Sequence, residues 1–258
     1  MTAPAGRASA APQRIVSLVP SLTEAVAALG HAERLVGVTR FCVRGAPDRA
    51  ARLRGTKNPS VQQILDLEPD LVLANREENR EREVEALRAA GVPVHLTEPR
   101  TVADVGPMLA GLAEVLGAGG AADDLLGQLE HARAHAAELR PGAPLATLTL
   151  IWRRPWMGVG PDTYVDDLLA ACGFANVLAG WAERYPRLDD GLLLGPEVVL
   201  LPDEPYAFGA RDLPAVRRLV GQAPRLEHVD GRLLTWHGPS TPQALVTFAA
   251  LAARLRGG

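Results

Sequence analysis

Polar groups stand at both ends of the segment 55–79, "GTKNPSVQQILDLEPDLVLANREEN", whose middle is apolar. Lys57 and Asn58 mark one end, and Glu77, Glu78 and Asn79 the other. Two adjacent carboxylates can coordinate a hard cation or accept hydrogen bonds from an amide-bearing ligand. They can equally be acids at the start of the next helix, where the dipole favours negative charge, with Asn79 as its N-cap. Lys57, in a chain where lysine is rare, could join Arg40, Arg153 and Arg154 as a cationic lining for a carboxylate or phosphate, while in so arginine-rich a chain any single one of these arginines can equally be an ordinary surface charge. Cys42 offers a soft metal ligand or a buried free thiol. His237, directly after Trp236, could reach a bound metal centre or bond to backbone. His131 and His135 share a helical face but lack the glutamate of HExxH, and read as surface helix. No GxSxG, Walker A or CxxC pattern occurs, and no nucleophile, base and orienting group assemble, so no enzyme is expected.

Aromatic residues are few, with four tryptophans, three tyrosines and four phenylalanines, so their placement carries information. Phe41, Trp152 and Trp236 fall at or just after expected strand ends, and Trp156, Trp181, Tyr185, Tyr206 and Phe208 in expected loops. Only Tyr164, Phe174 and Phe248 fall in or beside helices, where core packing explains them. Loops at the carboxyl ends of α/β strands form ligand crevices, and rings held there suit a large flat ligand. The alternative is that the rings cap a sheet or seal an interface between lobes.

The elements that position these groups alternate. Strands are expected at 14–20, 34–41, 70–74 and 92–97, with helices at 21–29, 60–67 and 80–90 between them. Ser21 with Glu24 three residues on reads as a capping box. This alternation implies a parallel sheet with crossover helices. Residues 101–140 then carry two helices separated by "GAGG" (117–120), the second about 20 residues and roughly 30 Å long. Alternation resumes with strands at 145–152, 197–203 and 232–236, and helices at 162–171, 212–220 and 241–255. The expected fold is therefore α/β, with two lobes of mainly parallel sheet bridged by a long helix and the ligand cleft between the lobes. The lobes are set at 14–116 and 143–258, with the linking helix at 117–142.

A chain of 258 residues supports two such lobes, and 47% hydrophobic with 22% charged residues is an ordinary globular balance. A net charge of −3 excludes the basic footprint of a nucleic-acid binder. Cys42 and Cys172 are far apart, so reduced thiols are expected. The first residues, "MTAPAGRASAAPQ", hold no apolar signal-peptide run, and no membrane-spanning run occurs. A cytoplasmic protein is expected, or a periplasmic or lipid-anchored one if the true start lies upstream.

"RIVSLVPSLTEAVAALG", "LVGVTRFC" and "NPSVQQILDLEPDLVLANREENREREVEAL" together resemble the substrate-binding proteins of cobalamin and iron-siderophore ABC importers. The resemblance covers residues 14–255 and is nearest to the cobalamin-binding members. It implies a non-catalytic binder that requires no cofactor, whose ligand is cobalamin or another large metal chelate. Carried over by position, Arg40, Phe41, Lys57, Asn58, Glu77 and Glu78 line the ligand from the first lobe, with Trp156, Trp236 and His237 from the second. Cys42 is the metal-ligand candidate. The family docks on a permease through one acidic residue per lobe. This chain has Gln62 where the first acid belongs and Asp189 or Asp190 near the second, which puts the permease partner in question. The resemblance further implies little lobe closure on binding. The alternatives are a binder of siderophore, haem or a metal ion, and a cytoplasmic interaction protein or enzyme that reuses the fold.

Overall fold

Short apolar runs that end in a proline, a glycine or a charged residue become buried strands, and the longer runs between them become helices. The computed structural model describes residues 11–140, 142–189 and 194–257. Their contacts divide the chain into two units, one running to Glu98 and including Pro107–Leu125, the other formed by Pro99–Gly106 and the chain from Leu126 on.

The first unit begins β1 (Ile15–Ser17), α1 (Pro20–Ala28), β2 (Leu35–Thr39), β3 (Ala51–Leu53) and α2 (Val61–Leu65). It continues β4 (Leu71–Asn75), α3 (Glu81–Ala89) and β5 (Val94–Thr97). The sheet order is β3-β2-β1-β4-β5, and every pairing is parallel. All five carboxyl ends therefore emerge on one edge, and the order reverses beside β1, where an α/β sheet presents its ligand crevice. β1 and β4 are buried along their whole length, as strands covered on both faces must be.

Two helices follow without an intervening strand, α4 (Val102–Leu116) and α5 (Gly119–Leu139). Gly117, at φ 70°, stops α4 in the left-handed conformation that glycine tolerates. The chain changes unit after Glu98, after Gly106 and after Leu125, so both helices contribute to both units.

The second unit holds β6 (Leu145–Trp152), β7 (Trp156–Gly158), α6 (Tyr164–Ala171), β8 (Phe174–Asn176), β9 (Arg187–Leu188) and β10 (Val198–Pro202). It ends with α7 (Leu213–Val220), β11 (Arg225–Val229), α8 (Gly231–Thr235) and α9 (Thr241–Gly257). β10 lies between β11 and β6, parallel to both. The start of β6 pairs in parallel with β8 and its end antiparallel with β7, which also carries β9. Leu148, Leu150, Val199, Leu201, Val216 and Leu219 form the core between this sheet and α7.

Four local expectations are corrected. Ser21 is not a cap: Pro20 already supplies the preset first turn, Val19 is the N-cap residue, and Ser21 is buried inside α1. Asn79 is not the cap of α3, which starts from Arg80, because its side chain is occupied elsewhere. The helix expected from Asp162 starts later, since Asp162 takes φ 57° and Thr163 caps α6 by accepting from the Asp166 amide at 3.2 Å.

The largest correction is at 232–236, expected as a strand and found as helix α8. Asp230 accepts from the Arg232 and Leu233 amides at 2.8 and 3.2 Å and so nucleates a turn. The strand position belongs instead to β11, "RLEHV", whose polar residues suit the sheet edge it forms beside β10 among the described residues.

Candidate functional site

In the first unit, the loops after β2, β3 and β4 meet along the carboxyl edge. Arg40 and Phe41 follow β2, and the Arg40 guanidinium lies 4.8 Å from the Phe41 ring centre. Phe41 is 47% exposed, a large apolar face left toward solvent. Its ring rests on Gly55: a Cβ at Gly55 would stand 3.1 Å from Phe41 Cε2. The turn after β3 thus carries glycine because the aromatic loop beside it needs the space.

That turn crosses to the loop after β4. The Lys57 ammonium, belonging to the only lysine of the chain, donates to the Glu77 carbonyl. Asn79 Nδ2 donates to the Thr56 carbonyl at 2.9 Å, and Asn79 Oδ1 accepts from the Asn75 amide at 2.9 Å. Asn75 Oδ1 in turn accepts from the Glu77 and Glu78 amides at 2.9 and 3.3 Å. Two buried asparagines therefore fix both polar ends of segment 55–79 against each other. Lys57 and Asn58 remain exposed, and Glu77 and Glu78 are half-buried.

Cys42 lies beneath this edge with its sulfur 3.1 Å from Thr23 Oγ1 and 3.2 Å from Thr39 Oγ1. Burial pushes its thiol up, so it is a packed thiol at neutral pH. Among the described residues, no group of three or more histidine, cysteine, aspartate or glutamate side chains is placed to hold a metal ion.

In the second unit, β6 and β10 are hydrogen-bonded neighbours, so their carboxyl-end loops emerge side by side. Trp152 meets Tyr206 edge-on at 5.8 Å, and Tyr206 lies 4.7 Å from Phe208. Phe208 stacks with Trp156, their planes 3° apart and centres 6.4 Å apart. The Arg153 guanidinium sits 5.5 Å from the Trp156 ring centre and pairs with Asp212.

Asp212 is completely buried, and burial pushes its carboxyl up. The Gly209 amide, Arg153 and the Tyr206 hydroxyl outweigh that effect and hold it below the usual carboxylate range. A charged Asp212 thereby anchors Arg153 by direct contact while itself staying below the surface. Trp152, Tyr206 and Phe208 were read from sequence only as part of the general gathering of aromatics in loops, and Asp212 was not singled out at all. The crowding of aromatics after two strands was the available signal for the rings. Nothing in sequence marks Asp212, whose role depends on its burial.

Trp236 and His237 were expected beside the ligand. The structure places both in the interior, because α8 turns the chain inward where a strand would have carried it to the edge. His237 packs edge-on to Tyr164 at 5.8 Å, and burial pushes its imidazole down to about 4. Gln62 is exposed on α2 and donates to Asp66 at 2.7 Å. Asp189 is exposed just after β9, and Asp190 lies outside the described residues.

Parallel strands in both sheets deliver aromatic and cationic loops to their carboxyl ends, the edge at which α/β sheets present a ligand crevice. The chain belongs to a family described as periplasmic binding protein, which matches residues 15–191. The vitamin B12-binding protein of Pectobacterium atrosepticum is 30% identical over 70% of this chain and 67% of its own. The periplasmic haem-binding protein of Roseiflexus sp. RS-1 superposes with a TM-score of 0.80 at 27% identity, covering 93% of this chain and 99% of its own. The periplasmic vitamin B12 binding protein of Vibrio cholerae shares the fold, with a TM-score of 0.81 at 21% identity over 96% and 99%.

The chain is thus a binding protein of the ABC-importer substrate-binding type and not an enzyme. The cytoplasmic location expected from its first residues is overturned, since the family it belongs to is periplasmic. No helix among the described residues is long and apolar enough to cross a membrane.

Proposed function

We propose that this protein binds a large planar metal chelate, a corrinoid or a haem, as cargo for an ABC importer. The observation that carries the reading is the connected group of rings at the carboxyl ends of β6 and β10. Trp152 is 41% exposed and Trp156 half-buried, while Tyr206 and Phe208 support them from behind. Rings held this way lose little rotamer freedom on binding and offer area to a flat ligand. In the first unit, Phe41 backed by Gly55 and Arg40 is a second such surface, and Lys57, Asn58, Glu77 and Glu78 supply polar groups that orient the ligand's side arms. Relatives named for vitamin B12 and for haem support the ligand class.

Docking on a permease is part of this reading. Asp189, with Asp190 after it, supplies the acidic contact of one unit, and Gln62 supplies an uncharged contact in the other.

The test is an absorbance titration with cyanocobalamin and with haem on the wild type and on Trp156→Ala. One chelate should saturate at one per chain, and Trp156→Ala should weaken it about tenfold or more, since a desolvated aromatic anchor is worth about 2 kcal/mol. Equal affinity in the variant would remove Trp156 from the site, and no spectral change with either chelate would remove the ligand class.

A further inference from the structure

Helix α5 has its rotation fixed by what it buries. Ala122, Leu129, Ala132 and Ala136 are buried along it, at a spacing that seats one stripe of the helix against the protein. A second stripe carries Asp124, Gln128, His131, His135 and Glu138, and all of them are exposed. Two imidazoles therefore stand one turn apart on a rigid, solvent-facing surface. Side chains four residues apart on a helix have Cβ atoms about 5–6 Å apart. Two nitrogens bound to one metal at about 2.0–2.1 Å each are separated by about 3 Å, which imidazoles on such a turn can reach.

Glu138 adds a second observation. His135 Nδ1 lies 3.5 Å from Glu138 Oε2. An ionised carboxylate only accepts, so this contact holds a proton on Nδ1 and leaves the Nε2 lone pair free. A carboxylate behind the far ring nitrogen is the usual partner of a metal-bound histidine, because it fixes the tautomer and makes the ligand nitrogen more basic. The charge on the stripe favours a cation as well. Asp124 and Glu138 stand at its two ends, while Arg133, the one cation between the histidines, is turned to another face and pairs with Glu130 at 3.8 Å.

We propose that His131 and His135 form a surface site for a late first-row divalent transition metal, with Glu138 as the positioning residue of His135. Imidazole donors suit copper, nickel and zinc, and copper(II) binds a given nitrogen site most tightly of the three. No third histidine, cysteine or carboxylate joins the pair among the described residues, so water fills the other positions. The site lies on α5, apart from the strand-end loops that carry the aromatic rings, and it does not depend on the chelate-binding reading.

The test is a calorimetric titration with copper(II), paired with electron paramagnetic resonance of the loaded protein. The wild type should bind one copper per chain with two imidazole nitrogens in its spectrum. His131→Gln and His135→Gln should each weaken binding about tenfold or more, because one imidazole cannot chelate. His131→Gln/Arg133→His keeps two histidines but sets them two residues apart, on different faces of the helix, and should be as weak. Glu138→Gln should weaken binding severalfold with both nitrogens still bound. His228→Gln, which removes an exposed histidine on β11, should change nothing.

Equal affinity in wild type and His131→Gln, a single-nitrogen spectrum in the wild type, or a loss with His228→Gln overturns the site. Binding by His131→Gln/Arg133→His as tight as the wild type overturns the helical geometry on which it rests. Unchanged affinity in Glu138→Gln overturns the role given to Glu138.

Discussion

His237 shows how burial alone changes what a side chain can do. Its sequence position beside Trp236 suggested a metal contact, but its imidazole lies inside the second unit and is pushed from 6.5 down to about 4 by loss of water. Between pH 6.5 and 4 the unfolded chain accepts a proton there that the folded chain refuses. Stability from this residue is therefore fully present above about pH 6.5 and declines as the pH falls toward 4, by on the order of 3 kcal/mol at most. His95 is also pushed down by burial, but it is present in both proteins of a comparison and cancels. Urea unfolding of wild type and His237→Gln from pH 7.5 to 4 should show the wild type losing more stability than the variant. Parallel curves would mean that His237 is not held neutral. The residue types of the site were legible and their exposure was not. Phe41 and Trp156 kept their faces toward solvent, whereas Trp236, equally aromatic and equally close to an expected strand end, became interior because Asp230 starts a helix before it.

At the scale of elements, the continuous apolar runs were the legible ones. β1, β2, β4, β6 and β10 are buried strands that the sequence marks by Val, Leu and Ile in succession. β3, β7, β8 and β9 have two or three residues each, too short for any period to appear. β11 was hidden because an edge strand carries polar residues, and the apolar run after it fitted helix and strand equally. The pairing of the two ends of segment 55–79 was half legible. Their polarity suggested neighbouring loops, while the buried Asn75 and Asn79 that tie them depend on side-chain direction. Asn79→Ala removes bonds to the Thr56 carbonyl and the Asn75 amide, leaving both groups buried without that partner. The denaturation midpoint should fall by an amount equivalent to about 1–3 kcal/mol, at unchanged slope. An unchanged midpoint would show that this bracket does not hold the loops.

For the whole molecule, the legible features were the succession of two alternating α/β stretches around a strand-free helical one, and the mild net charge of −3. The first agrees with membership of the periplasmic binding-protein family and with the fold of its solved relatives. Location was misread, because a compartment is not written in the folded part of a chain, and the family corrects it. The ligand is the remaining question at this scale, since one scaffold serves chelates of different charge and shape. The measurement that addresses it most directly is native mass spectrometry of the wild type and Phe41→Ala/Trp156→Ala, each incubated with equimolar cyanocobalamin and haem. The wild type should carry one chelate per chain, and the folded double variant should carry little or none. A wild type that stays at its bare mass with both chelates, or a double variant loaded as fully as the wild type, would contradict the account.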